Sequence, residues 1–232
     1  MSGEVTVGIL DSGVSGALAP RLARYRRFHP LDNGRIAAGP PVADETGHGS
    51  AVTQTVRVLA PTARLAHAQV FSGAHLAAPA TIAAGLDWLA GDGADLVVMC
   101  FGLAADRAVL RTACARAVER GAILVAASPA RGPQPFPAAY PHVIAVTGDA
   151  RCAAGEVSHL DTAQALFGTH CPPPDSTRAP RFAGASAAAA HFAGLAAAWL
   201  CTAPGGGREA LLAHFKAAAR YRGAERRGAV AE

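Results

Sequence analysis

Three polar residues of the kinds that carry out acyl transfer, Asp11, His48 and Ser186, occur in this order along the chain. In a hydrolytic triad a serine acts as the nucleophile, a histidine takes its proton, and a buried aspartate orients the histidine. The order Asp, His, Ser is one of the three chain orders in which such triads occur. Whether the three side chains can meet depends on the elements that carry them.

Asp11 ends an apolar run over residues 5–10, which is typical of a buried strand in a parallel sheet. Functional groups in open α/β sheets gather at the carboxyl ends of strands, so Asp11 is a site candidate. A turn formed by Asp11, Ser12 and Gly13 explains the same residues equally well.

Ser186 follows a small, glycine-containing turn and opens a run of small helix-forming residues. At a helix N-terminus its hydroxyl would lie beside unpaired backbone N–H groups and the positive end of the helix dipole. The alternative is an ordinary N-cap serine on a buried helix. His48 lies between Gly47 and Gly49 at the predicted start of another helix, where glycines leave the imidazole room.

The composition favours one α/β domain with a sizeable core, because the 232 residues are 51% hydrophobic. The net charge is +4, and Lys216 is the only lysine. The arginines are scattered and not interleaved with aromatic residues, so nucleic acid is not an expected partner. We also expect no membrane span and no signal peptide.

The five cysteines show no metal-binding spacing, and we expect neither a metal nor a cofactor. We expect them to be reduced thiols in the cytoplasm. Cys152 and Cys171 flank one loop and would be able to pair only if the protein were exported.

Strand and helix patterns alternate along the chain, which predicts a doubly wound, mostly parallel sheet with helices on both faces. We predict strands over 63–71, 95–101, 121–127 and 142–146, helices over 79–90, 107–120 and 208–222, and a short helix over 21–28. Residues 150–181 read as irregular. The predicted domain spans residues 1–204, and residues 205–232 form a C-terminal helix and basic tail packed on it or extending from it.

At this point the chain resembles the subtilisin-like (S8) serine protease family. The segments 7–14, 47–52 and 184–194 are similar to the aspartate, histidine and serine motifs of that family, with Ser50 in place of the usual Thr. The segments 95–102 and 139–146 resemble two further family segments. The resemblance covers about residues 5–200 and implies a subtilisin-like fold.

The resemblance implies that Asp11, His48 and Ser186 are catalytic. It also implies a substrate-binding edge at Cys100, Phe101, Gly102 and Leu103, and a primary pocket walled by Ala126, Ala127 and Ser128. The family often has glycine where Leu103 stands. The leucine predicts a preference for a small residue before the cut, unless its side chain points into the core.

Several departures from the family pattern qualify this picture. Ala130 stands where the family places an oxyanion-hole Asn, and Ser128 or Gln134 would have to supply the second donor. His191 matches a structural family position. No calcium-binding loop fits after Thr55, and we expect no propeptide because the first strand begins close to Met1.

These features favour a selective intracellular endopeptidase that removes a leader from a dedicated peptide or protein precursor. In size and truncation the chain resembles the small subtilisin-like proteases of quinohemoprotein amine dehydrogenase maturation. An acidic leader would engage Arg21, Arg24, Arg26 and Arg27. The alternatives are a weakly active or inactive peptide-binding module, and a transpeptidase that resolves the same acyl-enzyme with an amine.

Overall fold

The computed structural model describes residues 4–73, 76–171, 182–203 and 205–225. They form one ten-stranded sheet in the order β10-β8-β9-β7-β6-β5-β1-β4-β2-β3. The strands are β1 (Thr6–Asp11), β2 (Arg24–Pro30), β3 (Ile36–Gly39), β4 (Arg64–Gln69), β5 (Leu96–Met99), β6 (Ile123–Ala127), β7 (Val143–Gly148), β8 (Val157–His159), β9 (Phe167–Thr169) and β10 (Tyr221–Arg222). The helices are α1 (His48–Leu59), α2 (Pro79–Gly91), α3 (Ala108–Glu119), α4 (Gly184–Thr202) and α5 (Arg208–Ala218).

Seven neighbouring strands, from β9 to β2 in sheet order, pair in parallel, and antiparallel pairs join β3 to β2 and β8 to β9. Helices cover both faces of this sheet. Val7 and Ile9 of β1 face the core that α1, α4 and α5 complete, whereas Leu10 faces the core of α2 and α3. The predicted doubly wound, mostly parallel fold is therefore confirmed.

The predicted helix over residues 21–28 is wrong, because most of this segment belongs to strand β2. Only Ala19–Arg21 forms a single helical turn of the 3-10 type. Phe28 is buried against Trp88, with ring centroids 5.8 Å apart, while Arg24 and Arg26 stay exposed. Pairing with β3 and β4 and the burial of Phe28 outweigh the helix-forming tendency of the arginines.

The C-terminal helix ends at Ala218, four residues before the predicted end. Ala219 has extended backbone angles, and the N–H of Arg220 donates to the carbonyl of Val157, which starts strand β10. Leu211 and Phe215 of α5 are buried in the core beside α4. The residues that close the predicted basic tail, 226–232, lie outside the described part of the chain.

Helix α4 is long and apolar enough to cross a bilayer by length and composition, which the sequence reasoning overlooked. Eleven of its residues are buried in the protein, including Phe192 and Leu200. A buried core helix passes the same test as a membrane span, so the helix is explained by its place between α1 and the sheet.

Candidate active site

The Asp11 carboxylate lies at the carboxyl end of β1, where only 1% of the residue is exposed. Its Oδ1 accepts two hydrogen bonds of 2.7 Å, one from Nδ1 of His48 and one from the backbone N–H of Ser12. A buried carboxylate that accepts such bonds is held in one orientation. The aspartate therefore fixes both the ring orientation and the tautomer of His48, leaving Nε2 as the proton-accepting nitrogen.

His48 is the first residue of α1, and Gly47 before it has a left-handed backbone with φ 69°. Burial lowers the pKa of His48, but the hydrogen bond and charge of Asp11, together with the charge of Asp44, outweigh it, so the pKa is raised overall. The Phe182 ring lies edge-on to the imidazole at 5.6 Å. Because Phe182 precedes α4 by two residues, this contact brings the start of α4 against His48.

Ser186 lies in the first turn of α4, but it does not cap the helix. The N-cap residue is Ala183, which makes no side-chain cap bond, so the alternative of an N-cap serine is wrong. The half-buried Ser186 hydroxyl donates to the carbonyl of Cys100 at 3.2 Å. The backbone N–H of Ser186 is among those that the first turn of a helix leaves without an intrahelical partner.

Cys100 connects the serine to the aspartate. The register of β1 and β5 pairs Leu10 with Met99, so Asp11 and Cys100 follow paired residues on neighbouring strands. Burial, reinforced by the charge of Asp11, raises the pKa of the Cys100 thiol well above its ordinary value. The three predicted catalytic residues thus lie together at the carboxyl ends of the parallel strands.

Asp44 supports this site and was not foreseen from the sequence. Its Oδ1 accepts from the Ser12 hydroxyl and from the Gly47 N–H, both at 3.0 Å, and its Oδ2 accepts from the N–H and hydroxyl of Ser50. Burial raises the pKa of Asp44, but these hydrogen bonds outweigh it and lower the pKa overall. The sequence does contain a signal for Asp44, since an acidic residue shortly before a predicted helix start often accepts from the first N–H groups of the helix.

The predicted substrate edge follows β5 directly. The exposed Gly102 packs on Pro135, since a Cβ built on Gly102 would lie 2.7 Å from the Cβ of that proline. Leu103 and Phe136 exchange backbone hydrogen bonds of 2.7 and 2.9 Å, and both side chains pack against the core of α2 and α3. The half-buried packing of Leu103 favours the alternative in which its side chain points to the core, and its effect on the pocket stays a prediction. Pro135 lies closest to Gly102 of the predicted substrate edge. Phe101, the remaining residue of this edge, packs on Phe71 with ring centroids 5.2 Å apart.

The predicted pocket walls lie at the end of β6. Ala126 and Ser128 are fully buried and Ala127 is nearly so. These residues, backbone included, offer little surface to a peptide in this structure. Their role in substrate binding stays a prediction.

A cavity of about 690 Å³ opens beside the first residues of α4. Ala130 and Arg131 line it on one side, and Gly184 and Ala185 on the other. The position expected for an oxyanion-hole Asn thus borders the start of α4, with a methyl group in place of an amide.

The two donors suggested from the sequence are not available for an oxyanion. The Gln134 amide donates to the carbonyls of Ala138 and Gln164, both at 3.1 Å. Ser128 is fully buried and does not line the cavity. Arg131 also lines this cavity. It is exposed and, within the described part of the chain, forms no hydrogen bond or ion pair, so its guanidinium is a candidate second donor.

Cys100, Cys114, Cys152 and Cys201 are free thiols. Over the described ranges, no group of three or more His, Cys, Asp or Glu side chains is arranged to hold a metal ion. The N–H of Gly184 donates to the Cys171 sulfur at 3.1 Å, which ties the residue two positions after β9 to the start of α4.

Comparison with known proteins gives a consistent result. The model of the Subtilase family matches residues 2–228. Alkaline elastase YaB from Bacillus sp. (strain YaB) is 30% identical over 153 residues, which make up 61% of this chain and 39% of that protein. The match therefore spans less than half the length of that relative.

Two solved structures share the fold. An S41 psychrophilic protease superposes with a TM-score of 0.70 at 17% identity, over 93% of this chain and 83% of its own. A lanthipeptide protease superposes with a TM-score of 0.60 at 16% identity, over 84% of this chain and 74% of its own.

Proposed function

The chain belongs to the subtilase family, and from that premise we propose that it is a selective serine endopeptidase with a dedicated peptide or protein substrate. The observation that carries this proposal is the hydrogen bond between His48 and Asp11 beside the helix start that bears Ser186. The arrangement supplies a base with a fixed tautomer, a nucleophile, and a backbone donor at the nucleophile itself.

In this mechanism the Ser186 Oγ attacks the carbonyl carbon of the scissile peptide while its proton passes to Nε2 of His48. The tetrahedral intermediate then collapses, the C–N bond breaks, and the leaving amine takes the proton from His48. Water attacks the acyl-enzyme with His48 again as base, which releases the acid and restores the serine. Asp11 stabilises the imidazolium at each proton transfer.

We propose further that the substrate is a precursor from which a leader is removed. The lanthipeptide protease shares the fold, and Pro135 against Gly102 restricts the substrate edge, both of which suit a narrow substrate range. The free thiols of Cys100, Cys114, Cys152 and Cys201 suit a reducing compartment, and we propose a cytoplasmic location.

The four arginines suggested as a leader site do not form one surface. Arg24 pairs with Asp92 at 2.7 Å, and Arg24 and Arg26 lie over the Trp88 ring. The half-buried Arg27 follows Arg26 on the strand, so its side chain points to the opposite sheet face. If an acidic leader docks here, charge reversal at the exposed Arg21 and Arg26 should lower turnover and make it less dependent on salt concentration. If turnover and its salt dependence are both unchanged, the docking is contradicted.

Covalent labelling by a fluorophosphonate tests the mechanism. We expect the wild-type protein to be labelled and the Ser186→Ala variant to remain unlabelled. Mass spectrometry of the peptide products separates hydrolysis from transpeptidation, because water and an amine leave products of different mass. Folded wild type that stays unlabelled, even with its substrate present, contradicts the proposal.

Ala130 favours one alternative function. With a methyl group in place of the expected amide, the site loses a donor whose removal costs about 10²–10³ in turnover in subtilisin. The alternative is therefore a weak or inactive peptide-binding module with a subtilisin fold. Peptide binding without labelling or cleavage would identify it.

A further inference from the structure

His67 contacts the turn over 12–13, which follows Asp11. The proposed mechanism does not use this histidine. It belongs to β4, pairs in register with Ile9 of β1, and is fully buried. Two histidines thus contact this segment: the partly exposed His48 contacts Asp11, and the fully buried His67 contacts the carbonyl of Ser12.

Both ring nitrogens of His67 have partners. Nε2 contacts the carbonyl oxygen of Ser12, and Nδ1 lies 3.2 Å from the hydroxyl of Thr53 in α1. Because a carbonyl only accepts, Nε2 must carry the hydrogen, and in the neutral ring Nδ1 accepts from Thr53. The Tyr25 ring packs edge-on against the imidazole at 5.3 Å, and its hydroxyl accepts from the N–H of Val14 at 2.7 Å.

The Ser12 carbonyl is also the place where α1 meets β1. A Cβ built on Gly49 would lie 2.8 Å from this carbonyl oxygen and 2.5 Å from that of Gly13, and the Gly49 N–H donates to the Ser12 hydroxyl at 2.9 Å. The turn over 12–13 therefore sets the distance between the strand end that bears Asp11 and the helix start that bears His48.

We propose that His67 is a positioning residue for the Asp11–His48 pair. Its Nε2–H holds the Ser12 carbonyl in place, and this carbonyl supports the backbone of α1 next to His48. The catalytic consequence rests on the proposed peptidase function, whereas the geometric consequence for the pair does not.

The groups around His67 keep its ring neutral. Burial lowers its pKa, and the Ser12 carbonyl and the charges of Asp11 and Asp44 only partly offset this, so the pKa is lowered overall. Tyr25 and Thr53 face the ring as neutral groups. A neutral His67 adds no positive charge beside Asp11, which leaves the carboxylate to act on His48 alone.

The test compares His67→Gln with His67→Asn. Glutamine reaches the position of Nε2 and retains a donor to Ser12, whereas asparagine places its amide near Nδ1, out of reach of that carbonyl. His191→Leu is the control, since His191 is also buried but accepts from the N–H of Gly155. Two readouts apply: the proton NMR resonance of the His48–Asp11 hydrogen bond, and kcat and KM on a cleaved peptide.

We expect His67→Asn to shift or abolish the resonance and to lower kcat by about 10- to 100-fold with little change in KM. His67→Gln and His191→Leu should retain the resonance and keep kcat within about threefold of wild type. If the Asn and Gln variants, both folded, give the same resonance and the same kcat, the inference is overturned. If the resonance follows the donor in a protein that cleaves nothing, positioning holds and the peptidase proposal fails.

Discussion

The carboxylate of Asp11 and the imidazole of His48 lie 2.7 Å apart, although 37 positions separate them in the chain. The contact exists because β1 ends where α1 begins, with Gly49 packed directly on the turn after Asp11. Its first consequence is electrostatic. Asp11 favours the charged form of His48 and overcomes the effect of burial, so the pKa of His48 is raised.

The pH dependence of activity follows from this raised pKa. His48 must be neutral to accept the serine proton, so kcat/KM should rise with pH and reach half its maximum above pH 6.5, the ordinary His value. In Asp11→Asn the raising effect of the carboxylate is lost, so burial lowers the pKa of His48. The rise of kcat/KM with pH should therefore move to lower pH, and kcat should fall by a factor on the order of 10⁴. Kinetic pH profiles and an NMR titration of His48 measure both effects. If the rise of kcat/KM stays at the same pH in the variant, or moves to higher pH, the assigned roles of Asp11 and His48 are contradicted.

The oxyanion site gives a gain-of-function prediction. Ala130→Asn places an amide at the wall of the cavity beside Gly184 and Ala185. If the missing donor limits turnover, kcat should rise, by up to about 10²-fold, with KM little changed. Ala150→Asn, which adds the same amide elsewhere on this cavity, is the matched control and should leave kcat as it is.

Arg131 gives the complementary test. If its guanidinium serves as the second donor, Arg131→Ala lowers kcat in the wild-type background but has a smaller effect once Ala130→Asn is present. Such non-additivity shows that the two positions are coupled, as expected when both donors serve one oxygen. Additive effects of the two changes would show that Arg131 acts elsewhere.

The long, regularly patterned elements were predictable, and the short or arginine-rich strands were not. β8, β9 and β10 have two or three residues each, too few for a periodic pattern, and they form only because neighbouring strands supply partners. Strand β2 was mistaken for a helix because its exposed arginines hide the burial of Phe28. Pairing between distant segments decides such cases, and the local sequence does not contain it.

The residues of the candidate site also fall into those that the sequence indicates and those that only the fold reveals. Asp11, His48 and Ser186 stand out because glycines and element ends surround them. Asp44 and His67 act through partners that only the folded chain brings together, such as Ser12 and Ser50. The position of Leu103 was open from the sequence, because alternate residues of an extended segment face opposite sides.

Gly49→Ala tests the junction between the two elements that carry Asp11 and His48. The added Cβ would lie 2.5 Å from the carbonyl oxygen of Gly13, so the backbone of α1 or of the turn must move. We expect a loss of about 1–3 kcal/mol in the free energy of unfolding and a fall in kcat.

The control is Gly91→Ala at the end of α2, where an added Cβ meets no atom within 4 Å. It should leave activity unchanged and alter stability by no more than about 1 kcal/mol. Denaturant unfolding and steady-state kinetics measure both variants. Equal behaviour of the two would show that the Gly49 contact has no part in the site.

Pro135 yields the prediction about substrate choice. Its ring lies against Gly102, within 2.7–2.9 Å of a Cβ built there, and closes space beside the predicted substrate edge. We therefore expect wild type to cleave after small residues, and Pro135→Gly to accept larger ones through a rise in kcat/KM for those peptides. Leu103→Gly should bring no such gain, because the half-buried Leu103 packs against the core and its backbone is paired with Phe136. It should instead lower the free energy of unfolding by about 0.5–3 kcal/mol, through the loss of a half-buried side chain.

Pro141→Gly is the matched control for this comparison. Both proline substitutions give the unfolded chain more freedom and lower stability by about 0.4–1 kcal/mol, but Pro141 does not contact Gly102. The measurement uses peptides that differ only in the residue before the cut. If Pro135→Gly and Pro141→Gly show the same preference as wild type, the pocket does not lie at Gly102. If Leu103→Gly alone accepts large residues, Leu103 rather than Pro135 narrows the pocket.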